Sequence, residues 1–249
     1  MKRAAVPVYV LILLMLMPAC SDTGTAPVNK GEASAYCEKI LEADSPLELV
    51  VNADSCNVRF YSWKEGKVKF EISRRIMHTG SSCDAGNPAD DFSINAYRKD
   101  GKLVFSSEYE GPVKKPGDAW VDLNVFLPKN IKSIDISLDT GCVSFHDDAG
   151  GMLEADLGTA DMEINRFEGT IRSVSDRGDI SIHAGRLRQG SSIKTARGNI
   201  SIKSGIELKG EYSFESGMGN VELFLDRESI IFVESIGNLQ ENEFEQDVS

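Results

Sequence analysis

Ser175-Asp176-Arg177-Gly178-Asp179-Ile180-Ser181-Ile182 is followed by Thr195-Ala196-Arg197-Gly198-Asn199-Ile200-Ser201-Ile202, and then by Ser216-Gly217-Met218-Gly219-Asn220-Val221-Glu222-Leu223. A shortened copy stands at Ser235-Ile236-Gly237-Asn238-Leu239. Upstream, Thr140-Gly141-Cys142-Val143-Ser144-Phe145 opens the series, and Ala160-Asp161-Met162-Glu163-Ile164 repeats it with Ala in the glycine position. The turn positions 141, 160, 178, 198, 219 and 237 are 19, 18, 20, 21 and 18 residues apart. Each copy has the same physical content. Glycine supplies the positive φ of a tight corner, and the Asp or Asn after it tolerates and hydrogen-bonds turns. The apolar residues that follow alternate, so they share one face while Ser181, Ser201 and Glu222 take the other. Ahead of the turn, Ile171, Ile193 and Phe214 are expected to fill a second wall.

A repeat of this length, made of strand, corner and strand, is the pattern of a solenoid, because no single rung can bury its own apolar side. The expected fold class is therefore all-β, a single-domain β-solenoid of stacked rungs of about 20 residues. In register, Asp179, Asn199, Asn220 and Asn238 would form a ladder at one corner, flanked by Gly141, Gly178, Gly198, Gly219 and Gly237. A meander sandwich also uses short alternating strands, but it does not require turns at near-constant spacing.

The front half follows the same logic less regularly. Leu47–Val51 and Ser55–Phe60 read as strand, turn and strand with Cys56 where glycine would sit, and Lys67–Ile76 alternates as another strand. A Gly/Ser loop over 78–91 holds Cys83, and strands follow near Phe92–Tyr97, Leu103–Tyr109 and Trp120–Leu127.

At the N-terminus, Lys2 and Arg3 precede an apolar run from Ala4 to Ala19. The run is short of the ~20 residues a membrane-spanning helix needs and reads as a secretory signal, residues 1–19. Leu16-Met17-Pro18-Ala19-Cys20 resembles the lipobox of bacterial lipoproteins, with Pro18 as a departure. That resemblance implies acylation of Cys20, a lipid (palmitate) anchor to the membrane, and a location in the cell envelope. Ser21 after Cys20 resembles the pattern sent to the outer membrane in diderm bacteria. Residues 20–45 are expected to be a flexible tether, residues 46–240 the β-domain and residues 241–249 an acidic tail that frays.

Removing Lys2 and Arg3 takes the formal charge from −12 to −14. An acidic surface excludes nucleic acid, whose phosphates require Lys and Arg, and opposes docking to anionic headgroups through basic patches. Beside Cys20, four cysteines remain: Cys37, Cys56, Cys83 and Cys142. Even parity in an oxidising compartment predicts at least one disulfide, with three connectivities open. None of the spacings is that of a zinc site, and no metal or cofactor is expected.

The run Val121-Asp122-Leu123-Asn124-Val125-Phe126-Leu127-Pro128, then Ile134-Asp135-Ile136-Ser137 and Thr140-Gly141, resembles the putative-adhesin domain family of bacterial envelope proteins. The closing copies at Gly219–Leu225 and Gly237–Leu239 match as well, so the resemblance covers roughly residues 47 to 240. It implies an envelope β-solenoid and carries no catalytic residues. The cysteines and the 78–91 loop depart from the family pattern.

Catalytic motifs are missing: there is no GxSxG elbow, P-loop or HExxH. His78, His146 and His183 lie in separate segments, and the corner aspartates are accounted for by turn chemistry. The expected function is a non-catalytic, membrane-anchored binding or scaffold module for an envelope protein or glycan. Two alternatives stand beside it. One is a polysaccharide-active β-helix using paired carboxylates such as Asp161 and Asp179, which need ~5–10 Å separation. The other is an envelope-stress or assembly accessory.

Overall fold

The computed structural model describes residues 30–79, 91–111, 118–207 and 210–226. Among these there is no helix; thirteen strands join in one hydrogen-bonded sheet. They are β1 (Lys30–Glu42), β2 (Leu47–Ser62), β3 (Lys67–Thr79), β4 (Phe92–Lys99), β5 (Lys102–Tyr109), β6 (Ala119–Leu127) and β7 (Ile131–Arg177). Then come β8 (Ile180–Ile182), β9 (Gly185–Leu187), β10 (Ser192–Thr195), β11 (Ile200–Ile206), β12 (Ser213–Ser216) and β13 (Val221–Leu225).

At about 3.3 Å per residue a straight β7 would run for roughly 150 Å. Instead it coils back on itself. Gly158 packs against the backbone of Asp139 and Gly169 against that of Gly151, so successive turns of the one strand lie side by side. From β7 onward all pairing is parallel. Met162, Ile180, Ile200 and Val221 stand in one line, and Ile164, Ile182, Ile202 and Leu223 in the next. The first three members of each line are buried, so each rung supplies the missing half of its neighbour's core.

Ile171 and Ile193 are buried in the second wall and Phe214 packs against it, as the sequence suggests, and the strand register adds Ser173 to it. Ile193 faces Ser173 and Phe214, not Ile171. The spacing between these two rungs is 20 residues, which places Ile171 against Ser191, whose Oγ accepts the Ile171 N–H at 3.2 Å. Ser173 therefore sits inside the core.

The front half is built by long-range pairing. The order β1-β3-β6-β2-β7 combines two antiparallel contacts with two parallel ones. Phe70, Ile72, Leu123, Val58 and Ile136 all point inward from these strands and are fully buried. The stretch 20–45 was expected to be a tether; its residues 30–42 instead form β1, paired to β3 along its whole length. Small and charged residues hide that strand, since among its described side chains only Cys37 and Leu41 pack on the core. No helix among the described residues is long and apolar enough to cross a membrane.

Candidate functional site

Four of the corner glycines share one conformation. Gly141, Gly178, Gly198 and Gly219 have φ of +142°, +148°, +149° and +154°, a region closed to residues with a Cβ. They are stacked so closely that a Cβ on each would strike the carbonyl oxygen of the rung beneath, at Cys56, Ala160, Gly178 and Gly198 respectively. The corner at Ala160 is made without a positive φ. Gly237 lies outside the described residues.

Beside the glycines runs a polar column. Asp179 Oδ1 accepts the backbone N–H of Asn199 at 2.7 Å and its side-chain amide at 3.3 Å. Asn199 Oδ1 in turn accepts the Asn220 N–H at 3.0 Å, and Asp161 Oδ1 accepts the Asp179 N–H at 2.8 Å. The column continues into the front half: Cys142 Sγ donates to Asn57 Oδ1 at 3.3 Å, and Asn57 Nδ2 donates to Asp122 Oδ1 at 3.1 Å. Asp122 is buried, and burial would raise its pKa. Hydrogen bonds from Asn57 and Arg75, with the charges of Arg75 and Arg59, outweigh that and hold it below the usual carboxylate range. Asn238 lies outside the described residues.

Cys37, Cys56 and Cys142 are free thiols, so the disulfide expected among the four candidates is not formed by these three. The pleat explains it. Asn57, not Cys56, stands opposite Cys142, which puts the Cys56 and Cys142 side chains on opposite faces. Cys37 lies across β3 and β6 from Cys56, roughly 14 Å away at ~4.8 Å per strand. Burial pushes the Cys56 thiol far above its ordinary range. Burial also raises the Cys142 thiol, with Asp122, Asp161 and Glu163 adding to the effect against Arg59. Cys20 and Cys83 lie outside the described residues.

A cleft of about 880 Å³ opens where β2 and β6 end and β7 begins. Its floor is apolar: Phe60 and Phe145 stack at 4.4 Å between ring centroids, with Ile131 beside them. Its rim is charged on both sides, by Lys129, Arg166 and Arg188 and by Asp147, Asp148 and Glu168. Asp147 Oδ2 accepts the Ser62 N–H at 2.9 Å, and Arg166 holds Glu168 at 2.6 Å. These carboxylates are engaged as structural and rim groups. The other carboxylate pair considered, Asp161 and Asp179, is spent as consecutive acceptors in the corner column. Among the described residues no three His, Cys, Asp or Glu side chains converge as a metal site. No local motif marks the cleft, whose lining comes from residues 60 to 188.

No family model matches the sequence, and no curated protein matches it either. Solved structures do resemble it. One is a putative cell adhesion protein from Clostridium sporogenes ATCC 15579, 13% identical with a TM-score of 0.39, the match covering 78% of this chain and 100% of that one. A putative adhesin from Bacteroides fragilis NCTC 9343 is 10% identical with a TM-score of 0.39, over 76% and 97% of the two chains. The protein resembles putative adhesins. A putative lipid binding protein from Parabacteroides distasonis ATCC 8503 is similar at 9% identity and a TM-score of 0.25, over 76% and 96%. At these identities every residue role has to be argued from this chain alone.

Proposed function

We propose that this chain is an exported lipoprotein, acylated on Cys20, whose β-solenoid is a non-catalytic binding module of the cell envelope. The Cys20 reading rests on the signal segment and its Leu16–Cys20 junction. The solenoid reading is supported by the parallel pairing of rungs that recur every 18 to 21 residues. The observation that carries the binding reading is the cleft. Its volume lies within the range of ligand pockets, and an apolar floor under a few charged groups suits recognition. Two of its three rim carboxylates, Asp147 and Glu168, are committed to Ser62 and Arg166, which favours holding a partner over general acid–base work. A glycan or protein segment of mixed charge fits this rim. The solenoid's length also offers lateral surface for such a partner.

Two experiments test this. Fractionation of cells carrying Cys20→Ala is expected to move the protein from the membrane to the soluble fraction, and mass spectrometry of the wild type is expected to find acyl chains on Cys20. For the cleft, cell-wall and capsular glycan fragments and in-cell crosslinking are the probes. Arg166→Ala is expected to weaken the interaction about tenfold, which corresponds to ~1.4 kcal/mol. Turnover of those glycans would replace the binding reading with the enzymatic one.

A further inference from the structure

The outer face of β1, β3, β6 and β2 differs from the rest of the surface. Strand register sets Tyr36, Ser73, Asp122 and Asn57 in one row across it. Four residues along, Ile40, Lys69, Phe126 and Tyr61 form another. Tyr61 stacks on Phe126 at 5.2 Å and on His146 at 4.8 Å. The chain has two tryptophans and both lie on this face: Trp63 against Phe126, and Trp120 under the guanidinium of Arg75. Tyr36 and Ile40, on the edge strand, are 63% and 50% exposed.

Although the whole chain is strongly acidic, this face is close to neutral. Lys69 pairs with Glu71 at 2.6 Å and Lys67 with Glu42 at 2.8 Å, while Arg59 and Arg75 both hold Asp122. Lys69 also lies over the Phe126 ring at 4.2 Å. Neutralised charges beside aromatic rings neither repel an anionic surface nor need one. Tyrosine and tryptophan side chains, apolar with one polar end, are the residues enriched where water meets lipid.

The position of the face points to its occupant. β1 is the sheet edge, and its first residue, Lys30, follows Cys20 by ten residues. Ten residues span at most ~35 Å. We infer that the β1/β3/β6/β2 face lies against the zwitterionic phospholipid interface beside the anchor, with Tyr36 and Ile40 entering the headgroup region. This rests on the Cys20 reading for its anchor. A patch of this size binds weakly by itself, but a tether turns the contact into an intramolecular one at high effective concentration. The β7–β13 rungs and the cleft rim are then left to face a partner.

The two tryptophans make the face its own reporter. The mature chain, carrying a hexahistidine tag in place of Cys20, is held on phosphatidylcholine vesicles doped with nickel-chelating lipid. Acyl chains brominated near the headgroup are expected to quench roughly half of the tryptophan emission. Tyr36→Glu with Ile40→Glu is expected to abolish the quenching while leaving the thermal unfolding midpoint close to wild type. If that pair unfolds the domain, Tyr36→Ser with Ile40→Ser makes the same comparison. Absence of quenching in the wild type overturns the inference, as does protection of the tryptophans by soluble envelope glycans without quenching by lipid. Because the tag replaces the acyl group, a failure of Cys20 acylation in cells leaves this result independent.

Discussion

The backbone N–H and the side-chain amide of Asn199 converge on a single oxygen, Asp179 Oδ1, in the rung beneath. The rungs are thus tied at their corner by side chains as well as by the sheet. Asn199→Asp keeps the backbone donor but removes the amide, and it sets a third carboxylate beside Asp161 and Asp179. The expected loss is about 1 kcal/mol at neutral pH, as urea unfolding would register. Asp179→Asn has the opposite sign. It keeps an acceptor for Asn199, removes a like charge and gains a donor towards Asp161, so it is expected to stabilise by about 0.5 kcal/mol.

Gly198 combines a φ of +149° with a carbonyl oxygen lying where its Cβ would go. Gly198→Ala is therefore expected to cost at least ~3 kcal/mol, the backbone penalty and the collision adding. Gly66, in the turn before β3, has nothing within 4 Å of its Cβ position. Gly66→Ala is expected to stay within ~0.5 kcal/mol of wild type. Equal costs for the two would mean that the glycine column is not under the constraint described.

Asp122 gives the fold an acid sensitivity of known sign. Its folded pKa is depressed, so its contribution is complete above the unfolded value of ~3.9 and fades as pH falls through the folded value. Asp122→Asn leaves Arg59 and Arg75 without their shared carboxylate and is expected to cost about 2 kcal/mol near neutrality. The gap between variant and wild type should close as pH falls through the depressed folded value, below which both side chains are neutral. A constant gap across that range would assign the loss to packing.

The thiols are expected to separate by burial. In native protein, iodoacetamide should label Cys142 slowly and leave Cys56 untouched until the domain unfolds, since burial opposes the thiolate at both. Peptide mapping without reduction is expected to find no bridge among Cys37, Cys56 and Cys142; any internal bridge among the four candidates has to include Cys83. A Cys56–Cys142 bridge would contradict the register of β2 against β7.

Much of this architecture was legible in the sequence, and the reason is local. Period-two alternation marks which side chains of β2, β6, β8 and β11 face inward, and that information sits within each strand. The strands near Phe92, Leu103 and Trp120 could be read in the same way. What escaped depends on partners distant in sequence. β1 looks like a linker because its pairing to β3 supplies the order that its own residues do not. Asp122 joins the corner column through a pairing no repeat announces. Ser173 escaped notice beside Ile171 in the second wall, because both positions alternate inward and only the neighbouring rung decides which of them stands against Ile193. The cleft was illegible, since its floor and rim meet only once β2, β6 and β7 have paired.

Ile180–Ile182 pairs with one rung below and one above, and with nothing else. A further copy of such a unit can be accommodated without disturbing the apolar floor of the cleft, provided the corner column stays continuous. Each added unit would lengthen the molecule by about 4.8 Å. The length of the stacked surface is then a quantity that gene duplication can adjust in fixed steps.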